Sequence, residues 1–273
     1  MAIVTISRQL GSLGTEISRR LKKEMKWNYL DKESLEELFT SYGLPQESVH
    51  KYDEKRPSFW ENFSSEKDRY LHFMTKAVYD VASKGNCIIL GRGGQVILAD
   101  LPGALHVRAT APIEVRVKRI MERYGVDERH AEKMVHRSDH DRAGFHKFFF
   151  DVNWESCSLY DLAINTHYLS VAASLKVIQS LLNTAEMKKR SQEAEKMLAG
   201  LCLGHEVATA ITYKEHIPIH FLEAVADSGL VTLRGSAMSK DDINRSETAA
   251  RKIAGVTEVI NEIQFVPITF GMA

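Results

Sequence analysis

The stretch IVTISRQLGSLGTEISRRL, residues 3–21, decides how the first part of this chain folds. It begins with apolar and β-branched residues, which are typical of a short buried strand. A polar segment with two glycines follows, which we call the glycine loop (residues 7–14). Ile17, Leu21 and Met25 then recur every four residues and predict one apolar face of a helix. A strand, a glycine loop and a helix in this order can present backbone N–H groups to a phosphate.

The composition narrows the classes of protein to which the chain can belong. Its 273 residues, of which 44% are apolar, suffice for one large domain or two modest ones. Lysine plus arginine equals aspartate plus glutamate at 36 each, so no bulk charge favours a nucleic acid partner. The three cysteines lie far apart, no apolar run approaches the ~20 residues that cross a bilayer, and the start lacks a basic signal segment. We therefore predict a cytoplasmic protein that binds no nucleic acid and has no integral membrane segment.

Strand-like runs alternate with helix-like patterns over the first two thirds of the chain. The further strand candidates lie at residues 27–31, 87–90, 104–109 and 162–164. This alternation predicts an α/β fold, with a mainly parallel sheet and helices on both of its faces. Ligands of such sheets bind at the carboxyl ends of the strands. Four residues follow these strands and are expected at that edge: Ser7, Asp31, Gly91 and Asn165.

Local signals also place helix starts and a long loop. Asp127 predicts the N-cap of a helix that ends near His136, and Ser170 predicts the N-cap of another. Residues 43–63 are polar and contain two prolines, which predicts an irregular loop with short helices.

The composition changes after residue 183, which predicts a second domain. We expect a first domain over residues 1–183, a charged helical connector over 184–203 and a small α+β domain over 204–268. The charged connector and the small second domain are compatible with a homodimer.

The glycine loop departs from two phosphate-binding motifs. The P-loop motif GxxxxGK[ST] places a lysine on the phosphates and a hydroxyl on magnesium. Here Arg8 stands at the first glycine, Gly14 at the lysine and Thr15 at the hydroxyl. The dinucleotide motif GxGxxG is incomplete because the loop holds only Gly11 and Gly14, which disfavours a nicotinamide enzyme. A plain strand-to-helix turn is the alternative for this stretch alone.

Two arginine-bearing segments shift this balance towards phosphate chemistry. GRGG at residues 91–94, which we call the glycine turn, follows a strand, and Arg92 there can bind a phosphate bidentately. RSDHDR at residues 137–142 follows a helix that is also rich in arginine. Phosphoryl transfer needs such positive groups around the moving phosphoryl group. For either segment alone, an exposed turn or a solvated charged face is the alternative.

In order and spacing, four pieces of the chain resemble the cytidylate kinase-like branch of the P-loop nucleoside monophosphate kinases. They are VTISRQLGSLG at 4–14, ILGRGG at 89–94, HVRATAPIEVRVKRIMER at 106–123 and DHDRAGFHKFFFDVNWESCSLYDLAINT at 139–166. The resemblance covers residues 1 to about 183 and implies a P-loop kinase-like fold. It also implies transfer of the γ-phosphoryl group of ATP to CMP or a similar nucleoside monophosphate, with Mg²⁺.

The resemblance further implies roles for individual residues. The donor nucleotide would lie on Ser7, Arg8, Gly11, Ser12, Gly14 and Thr15, with Arg116 and Arg119 on its phosphates and Thr15 or Ser12 near Mg²⁺. The acceptor would face Asp31, Gly91, Arg92 and Gly93. The catalytic set would be Arg92, Arg137, Asp141 and Arg142.

Two features depart from the pattern of this branch. Its loop usually reads SRxxGSGG, whereas Leu13 replaces a glycine here, and the lysine of the ordinary P-loop is absent. Arg8 is a candidate to supply the missing charge from a different place. These departures favour an alternative function, a catalytically inactive nucleotide- or ligand-binding regulatory protein on a kinase scaffold.

Residues 204–268 resemble a BON domain. The marks are GLVTLRG at residues 229–235 and GVTEVIN at residues 255–261. The resemblance implies a binding module for sensing or assembly, with an unknown ligand and no catalytic residues.

Overall fold

The computed structural model describes residues 1–44 and 64–267. It divides the chain into two compact units, Met1–Ala194 and Glu195–Ala273, each of which is described by itself. Most of the loop predicted at residues 43–63 lies outside the described residues. None of the helices in the described ranges is long and apolar enough to cross a lipid bilayer.

The first unit is built on a five-stranded parallel sheet with the strand order β2-β3-β1-β4-β5. Its strands are β1 Ile3–Arg8, β2 Asn28–Leu30, β3 Cys87–Leu90, β4 Ala104–Thr110 and β5 Leu162–Asn165. Its helices are α1 Gly14–Met25, α2 Lys32–Ser41, α3 Ser64–Ser83, α4 Gly94–Ile97, α5 Ile113–Tyr124, α6 Glu128–Phe150 and α7 Val171–Leu182. Helix α8, Ala185–Thr209, crosses the boundary between the units.

Strand β1 is buried on both faces, because side chains alternate along a strand and helices cover each side. Val4 and Ile6 belong to one core cluster with Ile17 of α1 and Leu175 of α7. On the other face the start of α4 comes close to Thr5 and to β3. The predicted α/β fold, with helices on both faces of a parallel sheet, is confirmed.

Parallel pairing places the carboxyl ends of all five strands at one edge of the sheet. The four residues predicted to lie at this edge do so, each within one residue of the end of β1, β2, β3 or β5. The N-caps are confirmed as well, since Asp127 accepts from the N–H of His130 and Ser170 from that of Ala173.

Helix α6 is longer than predicted, ending at Phe150 and not near His136. Its buried face carries apolar residues at Val135 and Phe145, but polar residues between them. The apolar period is interrupted there because Asp139 pairs with an arginine of α5. The charged segment at residues 137–142 is therefore the middle of a helix.

The second unit is a small α+β arrangement. Its elements are β6 His220–Asp227, β7 Leu230–Ala237, α9 Lys240–Arg251, β8 Glu258–Asn261 and β9 Gln264–Phe265, preceded by the second half of α8 and a π-helical turn, Ala210–Lys214. Strand β7 pairs antiparallel with β6 and parallel with β8 and β9. A Cβ on Gly200 would lie 2.3 Å from Ala226 O, and one on Gly204 would lie 2.2 Å from Ala224 O. Both glycines are therefore needed for α8 to pack directly on β6.

Candidate functional site

The glycine loop has a left-handed backbone directly before α1. Gly11 has a φ of 78° and Leu13 a φ of 59°. A residue with a Cβ is disfavoured in this region by about 1–2 kcal/mol, which explains why a glycine suits position 13. The first N–H groups of α1 follow at once, as expected for an anion-binding turn.

Gly14 and Arg8 depend on each other sterically. A Cβ on Gly14 would lie 2.4 Å from the Cβ of Arg8 and 3.0 Å from that of Ala109. No side chain fits at position 14 while Arg8 is present. The two departures from the P-loop motif, a cation at position 8 and a glycine at position 14, are therefore coupled.

The backbone of the glycine loop is held by α5 and by the segment after β5. Arg119 donates from Nη1 to Gly11 O and to Thr166 Oγ1, both at 3.0 Å, and from Nη2 to Thr166 O at 2.7 Å. Thr166 Oγ1 lies 3.0 Å from Ser12 O and also hydrogen-bonds there. These contacts fix the shape of the loop independently of a ligand.

Arg116 lies buried beside Gly11, where a Cβ would be 2.9 Å from Arg116 O. Its Nη1 donates to Asp139 Oδ2 at 2.7 Å and its Nε donates to Ala111 O at 3.0 Å. Arg116 and Arg119 thus support the protein's own backbone and a carboxylate. Their role as phosphate ligands stays a prediction.

The hydroxyl groups of the loop differ in what they contact. Ser12 is fully buried and donates to Gln9 O at 2.8 Å, while Ser7 accepts from Trp154 Nε1 at 2.8 Å. Thr15 is half-buried, and its hydroxyl bonds to none of the described residues. Of the two hydroxyls predicted near Mg²⁺, that of Thr15 fits a metal ion better.

The glycine turn combines a left-handed backbone with a buried arginine. Gly91, Arg92 and Gly93 have φ values of 73°, 57° and 65°, and only 3% of Arg92 is exposed. Gly91 N donates to Ile6 O at 3.0 Å, so the turn begins beside β1. A Cβ on Gly93 would lie 2.3 Å from the ring of Phe150, so this glycine lets α6 pack on the turn.

His146 links α6 to both loops. Its Nε2 lies 2.9 Å from Gln95 Nε2, directly after the glycine turn, and its Nδ1 donates to Arg142 O at 2.8 Å. Its ring stacks at 6.0 Å on Trp154, which donates to Ser7. One chain of contacts therefore joins the backbone at Arg142, the glycine turn and the start of the glycine loop.

The other predicted site residues are less closely connected to the loops. Arg137 has a side chain that is 78% exposed, and it pairs with Asp141 on α6 at 3.9 Å. The Arg142 side chain donates to Ser138 Oγ on the same helix. Asp31 lies at the end of β2 and caps α2, accepting from Ser34 N at 3.1 Å. The catalytic and acceptor roles of these residues stay predictions.

Sequence reasoning missed Arg108. This residue is buried in β4 and is the register partner of Ser7 on β1. Its guanidinium carbon lies 4.3 Å from the centroid of the Trp154 ring and 5.3 Å from that of Tyr160. The available signal was a single arginine inside an apolar strand, close to its carboxyl end.

His106 lies on the same face of β4 as Arg108, two residues further from this edge. Its Nδ1 lies 2.8 Å from Thr5 Oγ1. Burial lowers the pKa of His106, and Asp161 and the Leu98 backbone oppose this effect. Burial therefore disfavours the protonated form of this ring.

The fold and the two glycine-bearing loops define the first unit as a P-loop kinase-like α/β domain. The chain belongs to the cytidylate kinase-like family, which matches residues 3–168. The second unit carries a BON domain, which matches residues 193–267. Both resemblances drawn from the sequence are thereby confirmed.

The chain is similar to individual proteins of known sequence or structure to different extents. A cytidylate kinase of Staphylothermus marinus is 26% identical over 184 residues, which cover 67% of this chain and 97% of that one. The crystal structure of an uncharacterized protein from Eubacterium ventriosum has a TM-score of 0.53 at 24% identity and shares the fold, with coverage of 67% and 98%. A uronate isomerase of Corynebacterium glutamicum is 33% identical over 92 residues, 34% of this chain, but the chain spans only 18% of that protein.

Proposed function

We propose that the first unit transfers the γ-phosphoryl group of ATP to CMP or a similar nucleoside monophosphate. One observation carries the proposal: the glycine turn with its buried Arg92 is hydrogen-bonded to Ile6, directly before the glycine loop. Two anion-binding turns at neighbouring strand ends suit a reaction between two phosphorylated molecules. Catalysis of this kind depends on positioning and charge neutralisation.

The donor side of the proposed site is the glycine loop. Backbone N–H groups of the loop and of α1 would bind the phosphates, because their positions are fixed by Arg119 and Thr166. The Thr15 hydroxyl would hold Mg²⁺, which neutralises phosphate charge when it is bound. Arg8 would supply the cation that the ordinary loop takes from its lysine.

The acceptor side is the glycine turn together with the end of β2. Arg92 would hold the acceptor phosphate, and Gly91 and Gly93 allow the backbone to approach it closely. Asp31 would face the acceptor nucleotide. Helix α6 carries Arg142, with Arg137 and Asp141 on the same segment, and a shift of this helix towards the loops would close the site.

A second candidate function is a catalytically inactive nucleotide-binding protein. The observation that favours it is Leu13, whose side chain stands on a left-handed residue of the loop where the branch has glycine. In either case we propose a separate binding role for the BON unit, in sensing or assembly.

An acceptor panel separates the two candidates. The full chain is incubated with MgATP and each nucleoside monophosphate in turn, and formation of the diphosphate is measured. We expect turnover with a pyrimidine acceptor such as CMP. The absence of diphosphate with every acceptor would contradict the kinase proposal, and an ATP-induced rise in melting temperature would then support the binding protein.

A further inference from the structure

Arg108 carries a positive charge into the interior of the first unit, and no carboxylate within residues 1–44 and 64–267 forms an ion pair with it. Only 6% of the residue is exposed. Its hydrogen-bond acceptors in the described ranges are both neutral: Trp154 O, and the Tyr160 hydroxyl at 3.2 Å. The guanidinium also lies over the rings of these two residues.

This arrangement contrasts with that of Arg116, a buried arginine of the same region that forms an ion pair. Arg116 is equally buried but pairs with Asp139 at 2.7 Å. A buried charge without an opposite charge generally destabilises a protein by several kcal/mol. Cation–π contacts offset only about 2 kcal/mol of this. An uncompensated buried arginine is therefore a sign that an anion completes the site.

Both hydrogen bonds of Arg108 use the same nitrogen, Nη1. Nε and Nη2 form no hydrogen bond to a described residue. Two parallel N–H groups on a guanidinium are the geometry that binds two oxygens of a phosphate or carboxylate.

Arg108 is not needed to satisfy its own acceptors. Trp154 O also accepts from the Tyr160 hydroxyl at 2.9 Å, and Ser7 Oγ lies 3.2 Å from that hydroxyl. Removing the guanidinium therefore leaves no buried acceptor without a partner. A role in merely tying the Trp154 segment to the sheet would be redundant.

The position of Arg108 points to the ligand. As register partners on adjacent parallel strands, Arg108 and Ser7 project from the same face of the sheet, at its carboxyl edge. This is the face on which α4 follows the glycine turn. We propose that Arg108 binds an oxyanion of the acceptor, a phosphate group, between Ser7 and the glycine turn. That this phosphate belongs to the acceptor rests on the proposed function. That Arg108 binds an anion does not.

The test compares wild type with Arg108→Met, which keeps much of the side-chain volume, and with Arg108→Lys, which keeps the charge. Exposed Arg123, which pairs with Glu16, provides the control variant Arg123→Met. The melting temperature is measured without ligand and with inorganic phosphate, CMP or ATP. Trp27 and Trp154 lie in the first unit, and residues 195–273 contain no tryptophan, so tryptophan fluorescence follows the unfolding of the first unit.

We expect the ligand-free Arg108→Met protein to melt at the wild-type temperature or above it. Its affinity for phosphate and CMP should fall by about 10- to 100-fold, the loss of a charge-assisted hydrogen bond pair. The affinity of Arg108→Lys for phosphate and CMP should lie between those of wild type and Arg108→Met. Both substitutions should change the affinity for ATP less than the affinity for CMP. Arg123→Met should match wild type in every ligand.

The opposite pattern overturns the inference: a lower melting temperature without ligand and unchanged shifts with phosphate and CMP. Failure of wild type to respond to any of the three ligands also overturns it. If phosphate binding depends on Arg108 but the acceptor panel gives no diphosphate, the proposed function fails and the anion site stands. If turnover occurs and Arg108→Met keeps the wild-type KM for CMP, the proposed function stands and the anion site at Arg108 fails.

Discussion

The two units of this protein differ most in what they bury. Among the described residues, the first unit encloses Arg92, Arg108 and Arg116, all near the carboxyl edge of its sheet. In the described part of the second unit, the buried polar side chains are the hydroxyl-bearing Thr209 and Ser246. These two hydroxyls donate to carbonyls of their own helices.

Charges in the second unit remain at the surface. Arg234, for example, pairs with Glu262 at 2.9 Å and Glu223 at 3.8 Å, with all three side chains at least half exposed. Such exposed pairs contribute little to stability or chemistry. Because buried charge is destabilising unless a ligand or partner balances it, the difference supports placing the proposed phosphoryl transfer in the first unit.

The largest difference between the two units is expected at Arg92. Arg92→Ala should reduce phosphoryl transfer by about 10²- to 10³-fold, since a preorganised group is removed from the phosphate. Arg234→Ala in the second unit is the matched control and should leave the rate unchanged. The measurement is diphosphate formation from MgATP and CMP, and wild-type activity in Arg92→Ala would break the comparison.

Steric coupling at the glycine loop should give the next effect. Gly14→Ala should lower the free energy of unfolding by about 1–3 kcal/mol, because its Cβ meets that of Arg8. Adding Arg8→Gly should recover most of this loss, which a double-mutant cycle with tryptophan fluorescence in denaturant measures.

Gly200→Ala is the counterpart in the second unit. Its Cβ would meet a backbone oxygen, Ala226 O, so no side-chain replacement can relieve the clash.

Additive losses for Gly14→Ala and Arg8→Gly would show that the loop does not couple these positions.

Acid should weaken the first unit through His106. Burial lowers the pKa of His106. At a pH below the ordinary pKa of about 6.5, the histidine is therefore protonated in the unfolded chain but stays neutral in the folded one. Stability is therefore full above that pH and falls towards the folded pKa, by at most ~1.4 kcal/mol per pH unit. His106→Gln should flatten this profile in denaturant titrations at pH 5.5–7.5, whereas exposed His220→Gln should leave it as steep as wild type.

The smallest effect is expected at Leu13. A glycine usually makes a protein about 0.5–1 kcal/mol less stable than an alanine at the same position. The left-handed backbone at position 13 should reverse this order, so the free energy of unfolding should be higher for Leu13→Gly than for Leu13→Ala. Ser228 in the second unit, with a φ of 53°, should show the same reversal. In a thermal-shift titration, the affinity for ATP should change in the Leu13 variants and not in the Ser228 variants. An equal change of ATP affinity in the Ser228 variants would contradict an ATP site in the first unit.

Local pattern was sufficient for the fold but not for the site. The alternation of strands and helices, with caps at Asp127 and Ser170, located the parallel sheet and its carboxyl edge. The length of α6 was not predictable, since the polar residues on its buried face are compensated by α5. Arg108 was missed because its neighbours along the chain are apolar, and its environment comes from residues about fifty positions later.

Periodicity and residues near in sequence were enough to predict most of the secondary structure, the parallel sheet and the positions of the two glycine-bearing loops. The tertiary structure alone decided that Arg8 excludes a side chain at position 14, that Arg119 binds the loop backbone and that Arg108 lies buried beside Ser7. These relations join residues that are brought together only by the packed sheet. Steric exclusion and uncompensated charge depend on such distances in space, which periodicity along the chain does not encode.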